Sequence, residues 1–144
     1  MKILKIIGIA VGLAAAIMVG LVIMNPNNIA ETSADAKEEA LRPRKYKTDL
    51  PNFIGETEKI IANQTTYLKS WKLISSNATG TTASIKTEVP VVIFIDDLEI
   101  KVEVQNDEVL VNVHSNSRVG KSDLGENRRH VLQILEALDK KFAK

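Results

Sequence analysis

Residues 98–114 read LEIKVEVQNDEVLVNVH, and the fold follows from how this stretch alternates. Leu98, Ile100, Val102 and Val104 alternate with Glu99, Lys101 and Glu103, while Val109, Val111 and Val113 alternate with Leu110, Asn112 and His114. Period two sends successive side chains to opposite faces, so each run is a strand with one face on a core. The polar stretch Gln105–Glu108 between them is the length of a hairpin turn, which makes the pair antiparallel. Working outward, Trp71–Ser75 and Thr81–Thr87 read as a second hairpin around Asn77-Ala78-Thr79-Gly80. Val89–Ile95 is almost continuously apolar. It is expected to be a buried connection or a doubly covered strand, because an exposed patch of that kind is an aggregation hazard. A lipid-docking loop is the alternative for this segment. Trp71 and Phe94 are expected in the core.

Two helices flank the strands. After Pro51, the apolar residues Ile54, Ile60, Ile61 and Tyr67 predict an amphipathic helix over residues 54–68. Leu124, Val131, Leu135, Leu138 and Phe142 form the stripe of a final helix over residues 123–142, with Asp123 and Glu126 placed as a capping box. Two helices on one face of an antiparallel sheet make an α+β domain. That domain is expected over residues 41–144, after a polar tether over residues 25–40.

The N-terminus has a different character. Ile6 to Met24 is nineteen residues, all apolar or Gly. At 1.5 Å per residue this helix spans about 28 Å, close to the roughly 30 Å of a bilayer's hydrocarbon core. It is longer than a signal peptide's apolar region, and Ala34-Asp35-Ala36 lies too far beyond it for a typical cleavage site. The expectation is an uncleaved anchor over residues 1–24. Lys2 and Lys5 precede the helix and Asn25-Pro26-Asn27-Asn28 follows it. The positive-inside rule therefore predicts a single pass through the cytoplasmic (inner) membrane, N-terminus in and domain outside, periplasmic in a bacterium. Gly8, Gly12, Ala16 and Gly20 recur every four residues, a small-residue face suited to a helix partner or a homodimer.

Composition excludes several classes. Lys and Arg number nineteen and Asp and Glu eighteen, for a net charge of +1, and two of the positives lie ahead of the anchor. The remainder is near neutral and offers no field for nucleic acid. With no cysteine there is no disulfide scaffold, thiolate-bound zinc or thiol nucleophile. No cofactor is expected.

One motif carries a resemblance. Asp96-Asp97-Leu98-Glu99-Ile100 is followed by Ser115-Asn116-Ser117-Arg118-Val119-Gly120-Lys121-Ser122-Asp123-Leu124-Gly125-Glu126-Asn127. With the opening Leu41-Arg42-Pro43, these resemble domain-of-unknown-function family fourteen ninety-nine (DUF1499), over nearly all of residues 41–144. The family pattern is S-x-S-R-x-G-x-S-D-L-G-x-N leading into a last helix, and it usually continues with an Arg before the aliphatic residue at Val131. Here that position is His130. The resemblance implies a small membrane-attached or exported bacterial protein and brings no established activity.

The same residues admit a direct reading. Counting outward from the Gln105–Glu108 turn brings Asp96 and Asp97 near Ser117 and Arg118. A bidentate Arg118–carboxylate pair would clamp the sheet to the last helix. Alternatively, the turn at Gly120, Ser122 and Asp123, with Arg118, Lys121 and Asn127, is an anion site at a helix N-terminus, where Asp123 competes for the amides. An enzyme would use Asp97, His114 and Arg118, or a serine with His114 as base, although His114 and Ser115 are strand neighbours on opposite faces. No nucleophile elbow, zinc or phosphate-loop motif is present. His114 and His130 lack ligand spacing and are expected to be solvated. The function that fits best is a non-catalytic binding or envelope-associated interaction module. A small hydrolase-type enzyme, or an anionic-ligand or lipid-headgroup sensor at Arg118–Gly120, stand as alternatives.

Overall fold

The computed structural model describes residues 2–143. Helix α1 (Lys2–Met24) has a mean hydropathy of 2.8 and buries none of its residues against the rest of the chain, so it is long and apolar enough to cross a membrane. The remainder is an α+β domain. Strand β1 (Ile29–Glu31), a single 3-10 turn (Glu39–Leu41) and β2 (Arg44–Tyr46) lead to helix α2 (Leu50–Ala62). A small hairpin, β3 (Thr65–Thr66) and β4 (Lys69–Ser70), precedes the meander β5 (Lys72–Thr79), β6 (Thr82–Val91), β7 (Phe94–Gln105) and β8 (Glu108–Ser117). Helix α3 (Glu126–Phe142) closes the chain.

The main sheet runs β1-β8-β7-β6-β5, all antiparallel, with β1 and β2 placed end to end along the outer edge of β8. The expected β7–β8 pair is present in the register the turn dictates, Gln105 opposite Glu108 and Asp96 opposite Ser117. One face carries Ile85, Val89, Leu98, Ile100, Val109, Val111 and Val113. It packs on Phe53 and Ile61 of α2 and on Val131, Ile134, Leu135 and Leu138 of α3. The sheet's opposite face is open to solvent.

The boundaries depart from the sequence reading in four places. Residues 25–40, expected as a tether, contain β1 and the buried Thr32, whose hydroxyl accepts from the Val113 amide at 2.9 Å. This strand of three residues is formed by the edge of β8 and has no periodicity of its own to display. Helix α2 starts earlier, with Asp49 accepting from the Asn52 amide and Pro51 in the first turn, and it stops at Asn63. Tyr67 therefore lies in the β3–β4 turn and not on the helix. Helix α3 begins at Glu126, three residues later than expected. Finally, Val89–Ile95 is not a buried connection. Val89 is buried, but Val92 and Ile93 form an exposed hairpin tip, and Phe94 and Ile95 are exposed too. The apolar run is long because it crosses a turn, so only its first part belongs to the core.

Candidate functional site

Sequence neighbours Asp96 and Asp97 go to opposite faces of β7. Asp97 faces solvent, where Arg118 donates to both its oxygens at 2.9 and 2.5 Å and to Glu88 at 2.7 Å. This is the bidentate pair expected from the sequence, but its partners all lie on β6, β7 and the end of β8. It ties sheet strands together on the open face and does not reach the last helix. With the Arg118 side chain 42% exposed, it is a surface network. His114 shares that face and contacts Glu31 at 3.1 Å. Ser115 and Ser117 face the helices, so neither hydroxyl is placed to use His114 as a base.

A fully buried link between sheet and last helix is Asn127. Its amide group accepts from the Ser115 hydroxyl at 2.6 Å and donates to the Ser117 hydroxyl at 2.8 Å and to the Asn28 carbonyl at 2.9 Å. One side chain thereby joins α3, β8 and the segment leading into β1. Asp123 accepts from the Gly125 and Asn127 amides at 2.9 and 2.6 Å. The Glu126 amide bonds the Asp123 carbonyl instead of its side chain. The Gly125 and Asn127 amides are thus taken up by the Asp123 carboxylate, and Arg118 is taken up by Asp97 and Glu88.

On the helix side, Asp96 is 2% exposed and His130 is 0% exposed. His130 Nδ1 stands 3.5 Å from Asp96 Oδ2, and Nε2 stands 3.5 Å from Glu126 Oε2. Trp71 meets the imidazole edge-on, with ring centroids 6.2 Å apart. Asp96 Oδ2 and both ring nitrogens have no hydrogen-bond partner. Buried polar atoms are almost always paired, and leaving them unpaired is costly. Burial pushes the Asp96 carboxyl up to about 6, opposed by the Ser117 hydroxyl, which favours the ionised form. Burial pushes His130 down to about 4, with Arg129 acting in the same sense. At neutral pH the imidazole is therefore uncharged and Asp96 is mostly ionised.

Asp96 opens into a cleft of about 530 Å³. Its walls are Tyr67 of the β3–β4 turn, Val91–Phe94 of the β6–β7 hairpin and the loop from Val119 to Leu124, with Glu126 at the entrance to α3. The walls are largely apolar, with carboxylates from Asp96, Asp123 and Glu126 and hydroxyls from Ser117 and Ser122 among them. The two carboxylates lie on different ring nitrogens of His130 and do not converge on one point. Among the described residues no group of His, Asp and Glu is placed to hold a metal ion.

Of the residues singled out from sequence, Asp96, Ser117, Gly120, Ser122 and Asp123 line this cleft and Asn127 braces it. Asp97 and Arg118 lie outside it. His130, expected to be solvated, is a correction. It shares the inward side of α3 with Asn127, Val131 and Ile134, and that spacing was the available signal. Gly8, Gly12 and Gly20 have open space around them, so the domain leaves their helix face uncovered.

A family described as "Protein of unknown function (DUF1499)" matches residues 19–138. The match begins inside α1 and runs through β1, in keeping with residues 25–40 forming part of the folded unit. No curated protein and no solved structure matches the chain.

Proposed function

The chain belongs to the DUF1499 family, and from that premise we propose that it is a membrane-anchored, extracytoplasmic binding module whose ligand sits over Asp96. The observation that carries this reading is Asp96, buried with one carboxylate oxygen unpartnered, in the lining of a cleft with largely apolar walls. A ligand donor supplied to Asp96 Oδ2 would relieve the cost of burying that oxygen, and the apolar walls would cover the rest of the molecule. Non-catalytic binding is favoured because the inward-facing β8 hydroxyls, Ser115 and Ser117, are engaged by Asn127. Among the described residues, no hydroxyl is hydrogen-bonded to His130 as an activated nucleophile would be.

Anchoring in the inner membrane with the domain outside is supported by the apolarity of α1 and by Lys2 and Lys5 ahead of it. The uncovered Gly8, Gly12, Ala16 and Gly20 face is suited to a partner helix, with a second copy the simplest one. The test is native mass spectrometry of the full chain, extracted gently in detergent. A reproducible added mass that vanishes in a folded Asp96→Leu variant is expected. A bare mass for the wild-type chain refutes a tightly held ligand.

A further inference from the structure

The turns at the two ends of the domain differ in chemistry. At one end, the β7–β8 turn uses Asn106 and Asp107 at φ 49° and 64°, and the β5–β6 turn uses Gly80 at φ 59°. These are residues that tolerate the left-handed region and prefer water. At the other end the same backbone region is occupied by Tyr67 and Leu68 in the β3–β4 turn, at φ 50° and 61°, and by Val92 in the β6–β7 turn, at φ 43°. A β-branched or bulky residue there is backbone strain. The turn does not require these side chains, so another constraint placed them there.

Leu68 is 102% exposed and Ile93 80% exposed, and with Val119 and Val92 they are the most exposed large apolar side chains outside α1 among the described residues. They come from three separate segments brought to the same end. Lys69 Nζ donates to the Val92 carbonyl at 2.7 Å, joining the two turns. Asp96 pairs with Ser117, which sets Val119 beyond the strands near the β6–β7 tip.

The anchor leaves from this same end. The Ser122 hydroxyl donates to the Asn25 carbonyl at 2.6 Å, and the Asn28 amide donates to the Gly120 carbonyl at 2.8 Å. The last residue of α1, Met24, is therefore one residue from a contact with the loop that carries Val119. If α1 spans a bilayer, its exit point holds the apolar turns at the headgroup level, while the polar turns at Gly80 and Asn106 lie at the far end. Lys69 and Lys121 are exposed beside the tips, where cations meet anionic headgroups.

We propose that the Tyr67–Leu68 and Val92–Ile93 turns insert into the interface of the bilayer that holds α1, so that the cleft over Asp96 opens at the lipid surface. The proposal rests on the anchor reading above. The chain has no cysteine, so single-cysteine variants of the full chain can each carry one environment-sensitive fluorophore. Ile93→Cys, Leu68→Cys, Asp107→Cys and Ala16→Cys would be reconstituted alone into phosphatidylethanolamine/phosphatidylglycerol vesicles with nitroxide-labelled lipid. Labels at Ile93 and Leu68 are expected to be quenched severalfold more by lipid nitroxide than the label at Asp107, and less by aqueous iodide. Circular dichroism would verify that each variant is folded. If Ile93 and Leu68 behave like Asp107 while Ala16 is lipid-quenched, the insertion is overturned and the anchor stands. If Ala16 is not lipid-quenched, the anchor reading fails and the insertion falls with it.

Discussion

Replacing Asp96 by Asn and His130 by Leu, in separate chains, should tilt the pH dependence of stability in opposite directions. The Asp96 carboxyl rises from an ordinary value of 3.8 to about 6 in the fold, so the folded state holds its proton more tightly than the unfolded chain. Its burial as an anion weakens the fold at neutral pH, and that loss is recovered as pH falls through 6 toward 3.8. His130 drops from 6.5 to about 4, so the unfolded chain takes up the proton first. Its contribution is present above pH 6.5 and is lost as pH falls through 4. At ~1.4 kcal/mol per pH unit, each displacement amounts to about 3 kcal/mol. In the wild-type chain the two nearly offset each other between pH 6.5 and 4. Asp96→Asn leaves only the histidine, and stability should fall by about 3 kcal/mol more than wild type from pH 7 to pH 4. His130→Leu leaves only the carboxylate, and stability should rise by a similar amount over the same window. Urea titrations of the full chain in non-ionic detergent, followed by the fluorescence of Trp71, the chain's single tryptophan, would measure this. Groups common to all three chains cancel in the comparison. Identical slopes in the three chains would refute the buried, separately titrating pair.

Three further outcomes follow from the geometry. Asn127→Ala strands the buried Ser115 hydroxyl and the Asn28 carbonyl and should lower unfolding free energy by about 3 kcal/mol in the same urea titration. Arg118→Ala should move the urea midpoint little, and the change should vanish in high salt, because its carboxylate partners lie on the open face. Gly125 sits at φ 88° with a Cβ position 3.1 Å from Asn25 Oδ1, so Gly125→Ala should destabilise by about 1–3 kcal/mol, read as a lower thermal midpoint.

Strand parity carried most of the fold. Once residues 98–114 are an antiparallel pair, the inward face, the register and the side on which helices pack all follow. Parity also distinguished Asp96 from Asp97. Asp96 is in phase with the inward Leu98 and Ile100, and a carboxylate at such a position signals a buried charge. Treating the two as one unit led to the Arg118 network on the open face and passed over the burial of Asp96 on the other. His130 was hidden for a related reason. The stripe drawn through Leu124, Val131 and Leu135 omits Asn127 and Ile134, and only with them does the buried side of α3 take in residue 130. Strand β1 was not readable in this way. Ile29-Ala30-Glu31 is strand only because β8 offers an unpaired edge, a contact across more than eighty residues of chain. Nor does the local sequence of Val89–Ile95 say where the turn falls, and that position decides which of its apolar residues meet water.

The measurement that bears most directly on Asp96 as a ligand site is an experimental density map of the full chain purified from its own membrane. A ligand there predicts density in the cleft, with an atom within hydrogen-bond distance of Asp96 Oδ2. A closed, empty cleft in which Asp96 and His130 have moved together into a direct hydrogen bond would contradict it.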